Sequence, residues 1–246
     1  MLVVTRPQPQ AGQWVAALQA RGQPAVALPL LRIEDDPRFA PAVAAAWQAL
    51  PQTTLAMFVS PNAVARFFAA AGAAGWPAGV AAGATGPGTV AALLEAGVAE
   101  ADIVAPAADA RHFDADTLWQ QRLAVRAWAG RRVLIVRGES GRDWLADTLR
   151  QAGAAVEIVS AYRSAPAPFE GAALQTLAAI ADDPAGHAWL FSSSKAIEHL
   201  AQHLLPQHRR CALATHPRIA ATARAAGFST VIETRPDLAA VMAAAG

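Results

Sequence analysis

The sequence has a single cysteine, Cys211, among its 246 residues. One thiol cannot form an intramolecular disulfide, and a zinc knuckle of the CxxC type needs at least two. A chain so poor in cysteine is typical of proteins that work in the reducing cytosol. We therefore expect a cytoplasmic protein with no structural disulfide and no cysteine-based metal centre.

Charged residues are also scarce, since Asp, Glu, Lys and Arg make up 16% of the chain and its formal net charge is +1. The basic residues are scattered rather than gathered in a stripe that could follow a phosphate backbone, so nucleic acid is not an expected partner. Hydrophobic residues make up 54%, which argues against disorder. The length suits two domains of ordinary size.

Long hydrophobic runs are missing as well. No apolar run reaches the roughly 18 residues of a membrane-spanning helix. The chain opens on MLVV, which resembles a strand and lacks the charged start and cleavage site of a secretory signal. These features predict a soluble protein without a membrane partner.

Short apolar runs without period-two alternation recur, each followed by a turn and a stretch of helical periodicity. Such runs are expected of parallel strands buried on both faces of a sheet. Examples of these predicted strands are Leu2–Val4, Ala25–Leu31, Leu55–Val59, Val133–Val136, Val156–Ala161, Trp189–Phe191 and Val231–Ile232. The glycines that end the intervening helices as left-handed caps are Gly22, Gly97, Gly153 and Gly227. The alternation predicts an α/β protein with doubly wound parallel sheets.

An internal duplication is the most informative feature of the sequence. The matches are Arg6 with Arg137, Leu18 with Leu149 and Gly22 with Gly153 at a shift of 131, Phe58–Val64 (FVSPNAV) with Phe191–Ile197 (FSSSKAI) at 133, and Thr85 with Thr215 and Gly97 with Gly227 at 130. Chance similarity among alanine-rich helices is the alternative, but the landmarks are Gly, Pro, Thr and Arg rather than alanine. The chain therefore consists of segments A, B and C followed by A′, B′ and C′, which predicts two copies of one domain.

Two segments rich in proline and charge follow the A-type segments, at Ile33–Phe39 and Arg163–Gly171. Division of the chain there gives a discontinuous domain of residues 1–33 plus 168–246 and a continuous domain of residues 37–164. Residues 34–36 and 165–167 are then two linkers side by side. We expect them to act as a hinge, with a ligand cleft between the two domains.

Small polar side chains recur where a predicted strand leads into a helix. They are Thr5, Ser60, Asn62, Thr85, Thr89, Ser140, Ser192, Ser193, Ser194 and Thr215. In an open parallel sheet these turns lie at the carboxyl ends of the strands, where ligands bind, and the helix N-termini there suit carboxylates or phosphates. Each residue alone could equally be an N-cap that stabilises its helix by about 1 kcal/mol. For the whole set, a binding role is the stronger hypothesis.

Other patterns give weaker signals. The stretch GATGPGTVAALLEAG has the glycine spacing G-x-x-G-x-G and no acidic residue placed as a dinucleotide site requires. His199 and His203 are spaced as a metal pair on a helix, but a solvated helix face is the simpler interpretation. Arg137 and Arg142 flank the A′ turn, where surface salt bridges and carboxylate binding are both open.

Tyr162 is the only tyrosine in the chain and stands in SAYRSAP, at the end of the A′ strand. A free phenol has a pKa near 10, so at neutral pH it donates a hydrogen bond or a proton rather than accepting one as a base. Packing at a domain junction, with the hydroxyl satisfied locally, is the alternative.

In order, the motifs TRP, FVSPNAV, GPGTVAALLEAG, VLIVRGESGRDWLADTLRQAGAAVEIVSAYRSAP, FSSSKAI and THPRIAATARAAGF resemble those of the uroporphyrinogen-III synthase family over essentially the whole chain. The resemblance implies an enzyme, a lyase of tetrapyrrole and haem biosynthesis, with two doubly wound domains. It implies the substrate hydroxymethylbilane, a linear tetrapyrrole with eight carboxylates, which is closed to uroporphyrinogen III with ring D inverted and water lost. It also implies no cofactor and no metal.

The resemblance matches Tyr162 to the family tyrosine proposed as proton donor to the leaving hydroxyl. Together with the duplication, it suggests that the substrate is bound by Thr5, Arg6, Ser60, Asn62, Thr85, Gly86, Thr89, Arg137, Gly138, Arg142, Ser192, Ser193, Ser194, Lys195, Thr215 and His216. His216 departs from the family pattern, which favours glycine at that turn. It leaves open whether the turn approaches the ligand by its backbone or His216 reaches a carboxylate.

Two other functions have the same architecture. One is a non-enzymatic two-lobed protein that binds a small molecule, and the other is a flavodoxin-like protein that binds a flavin or nucleotide. A monomer is expected, with a transient handover of substrate from the preceding pathway enzyme.

Overall fold

The computed structural model describes residues 1–72 and 74–245. Its strands are β1 (Leu2–Val4), β2 (Ala25–Ala27), β3 (Leu31–Glu34), β4 (Leu55–Phe58), β5 (Ala81–Ala84), β6 (Ile103–Val104), β7 (Arg132–Gly138), β8 (Ala155–Pro166), β9 (Ala188–Phe191), β10 (Cys211–Ala214) and β11 (Thr230–Glu233). Its α-helices are α1 (Gln10–Gln19), α2 (Ala40–Ala49), α3 (Pro61–Phe68), α4 (Pro87–Glu95), α5 (Ala115–Leu118), α6 (Trp144–Gln151), α7 (Gly171–Asp182), α8 (Ser194–Leu200), α9 (Pro217–Ala225) and α10 (Leu238–Ala245). Strands and helices alternate, as the predicted α/β class requires.

The chain divides into two compact units. Unit 1 comprises residues 1–33 and 165–246, and unit 2 comprises residues 34–164. The divisions fall inside β3 and β8, so residues 34–36 belong to unit 2 and residues 165–167 to unit 1. The hinge role of these two connections stays a prediction.

Unit 1 is built on a sheet of strand order β11-β10-β9-β1-β2, with every pairing parallel. Successive residues of β1 point to opposite faces: Leu2 and Val4 pack with Leu18 of α1, whereas Val3 packs with Trp189 among the residues below the other face. All three β1 side chains are fully buried. This two-sided burial is why the strand is an unbroken apolar run.

Unit 2 contains a sheet of strand order β3-β8-β7-β4-β5-β6. One face buries Met57 and Ile135 against Leu149 of α6. On the other face Phe58 meets Phe67 of α3, their ring centroids 5.5 Å apart in an edge-on arrangement that suits the charge distribution of aromatic rings. The strands β4, β5, β6, β7 and β8 pair in parallel, so their carboxyl ends meet at one edge of the sheet.

The sheet registers confirm the internal duplication. The pairs Leu2↔Ala25, Leu2↔Ala188 and Cys211↔Ala188 in unit 1 correspond to Val133↔Val156, Val133↔Leu55 and Ala81↔Leu55 in unit 2, at the shifts found in the sequence. Each sheet therefore combines an A-type segment from one half of the sequence with B- and C-type segments from the other. The four glycines predicted as left-handed caps all have positive φ, between 79° and 93°.

Two strand predictions were incomplete. The run Ala25–Leu31 is not one strand, because β2 ends at Ala27 and β3 begins at Leu31. Pro29 lies between them, and proline cannot donate to a central ladder. The apolar runs also leave out β5, β6 and β10, although Thr85 and Thr215 were expected at strand ends; the alanine-rich sequences AAGA of β5 and CALA of β10 resemble helix. Among the described residues, no helix has the length and apolar character to span a membrane.

Candidate functional site

The turn after β4 in unit 2 is formed by Ser60. Its backbone is extended, at φ −163° and ψ 161°, and Pro61 follows at the first position of α3. The Ser60 Oγ accepts the N–H of Ala63 at 3.1 Å. Ser60 is therefore an N-cap, and the bond uses one of the two lone pairs of its hydroxyl.

Tyr162 of β8 is brought against this cap. Its phenol oxygen lies 2.9 Å from the Ser60 Oγ, and the residue is 8% exposed. A bulge in the pairing of β7 with β8 places Tyr162 opposite Gly138, where Arg137 pairs with Ser160 one step earlier. The ring lies directly over Gly138, because a Cβ added there would be 2.9 Å from the Tyr162 Cε2.

Burial raises the pKa of the Tyr162 phenol above its ordinary value of 10.0. The hydrogen bond with Ser60 and the positive charge of Arg66 act in the opposite direction and are the smaller effects. Arg66 lies on α3 and pairs with Asp35 at 2.8 Å. The phenol thus stays protonated at neutral pH and can act as an acid. Arg66 was missed by sequence reasoning because its effect depends on the packing of α3 beside β8.

The next turn of unit 2 follows β5. The Thr85 hydroxyl donates to the Val59 carbonyl at 3.2 Å, and Gly86 starts α4 without a side-chain cap. A Cβ at Gly86 would lie 3.1 Å from the Cβ of Phe113, so a side chain here would require Phe113 to shift by a few tenths of an ångström. Thr89 is 3% exposed. The turn therefore presents backbone rather than side chains.

Arg137 and Arg142 both form ion pairs in the structure. Arg137 Nη1 donates to Asp143 at 2.7 Å, and Arg142 Nη2 donates to Asp116 at 3.1 Å. The salt-bridge interpretation of these two residues is therefore correct for the protein alone. Carboxylate binding by them stays a prediction.

The turns of unit 1 use their hydroxyls differently. The Thr5 hydroxyl is 2% exposed and donates to the Leu190 carbonyl at 2.7 Å, so it ties β1 to β9. The Ser194 Oγ accepts from Thr222 of α9 at 2.9 Å. Ser193 starts α8 without a side-chain cap. The half-buried Ser192, Ser193 and Thr215 and the exposed Lys195 surround the same strand ends.

His216 has a role that the sequence did not indicate. It is the N-cap of α9, and its Nδ1 accepts the backbone N–H of Arg218 at 3.1 Å. The imidazole nitrogen here takes the place of the oxygen of Ser, Thr, Asp or Asn. Its position, after a strand and before Pro217, was the available signal.

The histidine pair lies elsewhere in unit 1. His199 stacks on Phe169 with ring centroids 5.3 Å apart, and its Nε2 lies 2.9 Å from the Ala167 carbonyl. His203 is exposed, as predicted, but lies beyond the end of α8, and His199 is half-buried, so the two do not share a solvated helix face. In residues 1–72 and 74–245 no group of three or more His, Cys, Asp or Glu could hold a metal ion.

The chain is similar to proteins of one family. The sequence model described as "Uroporphyrinogen-III synthase HemD" matches residues 12–243. A mutant uroporphyrinogen III synthase from the extremely thermophilic bacterium Thermus thermophilus has a similar structure, with a TM-score of 0.59 and 18% identity over 99% of this chain and 96% of that one. The uroporphyrinogen-III synthetase of Helicobacter pylori 26695 gives 0.57 and 13%, over 99% and 97%. No curated protein sequence matches the chain.

Proposed function

The chain belongs to the uroporphyrinogen-III synthase family, and on that premise we propose that Tyr162 is the proton donor of its reaction. The protein is an enzyme of haem biosynthesis that closes hydroxymethylbilane to uroporphyrinogen III, with inversion of ring D and loss of water. The non-enzymatic binding protein and the flavodoxin-like protein are not favoured.

The first chemical step breaks the bond between carbon and the terminal hydroxyl of the substrate. We propose that the phenol O–H of Tyr162 gives its proton to this hydroxyl, which leaves as water and creates an azafulvene-like electrophile on ring A. Ring D then attacks through its substituted carbon to form a spiro pyrrolenine, which fragments and recloses with ring D turned over. The proton released when the final ring becomes aromatic returns to the Tyr162 oxygen, so the cycle loses one water and no other atoms.

One observation supports this role above the others: the contact between the buried Tyr162 phenol and the capping hydroxyl of Ser60. Since the Ser60 Oγ already accepts from Ala63, its own proton is free to point at the Tyr162 oxygen. In that orientation the phenol proton is available to substrate. After transfer, the same Ser60 hydroxyl stabilises the phenolate.

The eight carboxylates of the substrate need many hydrogen-bond donors. We propose that the strand-end turns supply them within each unit, through the N–H groups that open the helices and through small hydroxyls. The residues proposed for this are Asn62, Thr85, Gly86 and Thr89 in unit 2 and Ser192, Ser193, Ser194, Lys195, Thr215 and His216 in unit 1.

Hydroxymethylbilane is reactive and can close unaided to the uninverted isomer. This reactivity supports a finer proposal, direct handover of the substrate from the preceding enzyme. We also propose that the protein is a monomer.

The decisive experiment generates hydroxymethylbilane in situ, adds the protein and separates the oxidised products by isomer. The wild type is expected to give the type III isomer, and formation of the type I isomer alone would exclude the enzyme. Tyr162→Phe removes one oxygen and should lower the turnover number by about 100-fold, within the usual range for general acids. Nearly full activity in this variant would exclude Tyr162 as proton donor.

A further inference from the structure

The duplication places two arginines at equivalent positions, Arg6 in unit 1 and Arg137 in unit 2. Both lie four residues after paired strand positions, since Leu2 and Val133 occupy the same register in their sheets. Both precede a helix that ends at an equivalent left-handed glycine. The correspondence is therefore fixed on both sides of the turn, and differences between the two arginines are meaningful.

The two arginines differ in their partners. Arg137 donates to the carboxylate of Asp143 at 2.7 Å. The residue of unit 1 that corresponds to Asp143 at the shift of 131 is Gly12, which has no side chain. Among residues 1–72 and 74–245, no carboxylate forms an ion pair with Arg6. Unit 1 thus has the arginine, Arg6, but no carboxylate in the position that corresponds to Asp143.

Arg6 is nevertheless held in place. Its guanidinium carbon lies 4.4 Å above the centre of the Trp14 ring of α1. The residue is half-buried, and its Nε, like that of Arg137, is enclosed without a hydrogen-bond partner among the described residues. The two arginines therefore differ in the ion pair and not at Nε. A tryptophan face orients a guanidinium but leaves its N–H groups unsatisfied.

An enclosed charge without a counter-ion is unfavourable for the folded protein. Burial accordingly lowers the pKa of Arg6 from 12.5 to about 10, and no nearby anion opposes this effect. The contact with Trp14 supplies neither a hydrogen bond nor a counter-charge, whereas a planar fork of N–H donors held on an aromatic ring is well suited to a carboxylate.

We infer that Arg6 is the carboxylate-binding residue of the A turn, where a side-chain carboxylate of the substrate takes the place that Asp143 occupies beside Arg137. Arg137 is then a structural residue, already neutralised by the protein itself. This inference deepens the proposed function and rests on it for the identity of the ligand. The chemistry it requires is a carboxylate, and a tetrapyrrole supplies eight.

The test compares Arg6→Gln with two matched variants, Arg137→Gln and Arg21→Gln. Arg21 is an exposed arginine of unit 1 that contacts the Ala17 carbonyl. The probe is uroporphyrin I, an octacarboxylate that is not a substrate, and its dissociation constant is measured by equilibrium dialysis. Loss of one charged hydrogen-bonding group should weaken binding about tenfold or more in Arg6→Gln. Arg21→Gln should bind as the wild type does, and Arg137→Gln should be affected less than Arg6→Gln.

Thermal unfolding of the ligand-free variants separates binding from a structural role. Arg6→Gln should unfold at the same temperature as the wild type or higher, because it removes an uncompensated charge. Arg137→Gln should not gain stability, because it breaks an ion pair. Unchanged probe binding in Arg6→Gln, or lower stability together with unchanged binding, would overturn the inference. If Arg6→Gln does not fold, Trp14→Leu removes the aromatic face, introduces the residue found at the corresponding position 145, and should also weaken binding.

The outcome is distinguishable from failure of the proposed function. Production of type III isomer by the wild type tests the function, whereas dependence of probe binding on Arg6 tests the inference. In the isomer assay, Arg6→Gln should raise KM with little change in kcat, since the interaction is with a remote carboxylate and not with the reacting carbons. A fall in kcat at constant KM would contradict the assignment.

Discussion

Gly138→Ala should displace the Tyr162 ring and so remove its proposed proton donation, although the tyrosine itself is kept. The new Cβ would lie 2.9 Å from the Tyr162 Cε2, closer than Cβ atoms approach other atoms in folded proteins, and 3.1 Å from its Cζ, which is tighter than most Cβ contacts. Gly138 has no positive φ, so the backbone accepts alanine and the whole effect comes from the ring. Because the ring is 8% exposed, it has little room to retreat.

Relief of the contact requires the ring to move by several tenths of an ångström or more. The hydroxyl end of the ring would then leave the position in which it lies 2.9 Å from the Ser60 Oγ. Overpacking of this kind costs about 1–3 kcal/mol of stability. A phenol displaced from its partner and from the leaving hydroxyl should lose most of the roughly 100-fold acceleration expected of a general acid.

The assay measures type III isomer formation together with urea unfolding. Gly88→Ala is the matched control, since a Cβ there would meet only Pro61 at an ordinary 3.6 Å. Alanine in place of glycine within α4 should stabilise the protein by up to about 1 kcal/mol and leave turnover unchanged.

A double variant completes the test. If Gly138→Ala acts through the phenol, adding it to Tyr162→Phe should cause little further loss of activity, because the hydroxyl is already absent. Full activity in Gly138→Ala, or losses that multiply in the double variant, would refute the reasoning.

Two further predictions concern stability and pH. Arg209 is 8% exposed and donates to the carbonyls of Ala201, Leu204 and Ala226 at the ends of α8 and α9. Arg209→Met should therefore lower the free energy of unfolding in urea by about 3 kcal/mol. The control Arg210→Met, at an exposed residue, should change it by less than about 0.5 kcal/mol. Burial raises the pKa of Tyr162 above 10.0, so the phenol should stay protonated below that pH and ionise only above it. Its contribution to the free energy of unfolding should likewise be present below pH 10.0 and be lost as the pH rises further. An alkaline fall of kcat near pH 8 that vanishes in Tyr162→Phe would contradict this assignment, as about two pH units separate it from the ordinary phenol.

The fold could be predicted from the sequence because its signals are local or repeated. Two-sided burial produced unbroken apolar runs such as Leu2–Val4, and helix ends required a left-handed residue at positions such as Gly153. The duplication made the sheet topology predictable, because equivalent positions in the two halves have equivalent sheet registers. Pro29 shows the limit, because a single proline divided a run whose hydrophobicity alone predicted one strand.

The site was less predictable because its contacts join distant residues. Ser60 and Tyr162 are separated by 102 positions, and their contact depends on the bulge that pairs Gly138 with Tyr162. Side chains alternate along a strand, so a shift of one residue decides which face Tyr162 occupies. The sequence contains no mark of that bulge.

The partners of the charged and capping side chains were unpredictable too, because they also depend on contacts between distant residues. Whether Arg142 would meet a ligand or Asp116 depends on how α5 packs beside the A′ turn, over a separation of 26 residues. The capping role of His216 was hidden because histidine is not a preferred N-cap.

The duplication also accounts for the presence of the proposed acid in one copy only. At the shift of 131, Tyr162 corresponds to Leu31 and Ser160 corresponds to Pro29. With Ser160 at this position, β8 continues from Ala155 to Pro166. Its pairing with β7 brings Tyr162 to the turn that Ser60 caps. In the other half β2 ends at Ala27, although the N–H groups of Leu28 and Leu30 still donate to the carbonyls of Val4 and Thr5. Leu31 already belongs to β3, a strand of the other sheet. A tyrosine at position 31 would therefore lie beyond the ladder and could not reproduce the contact. The two copies share their strand order, and the difference between Pro29 and Ser160 accompanies the presence of the proposed proton donor in unit 2 alone.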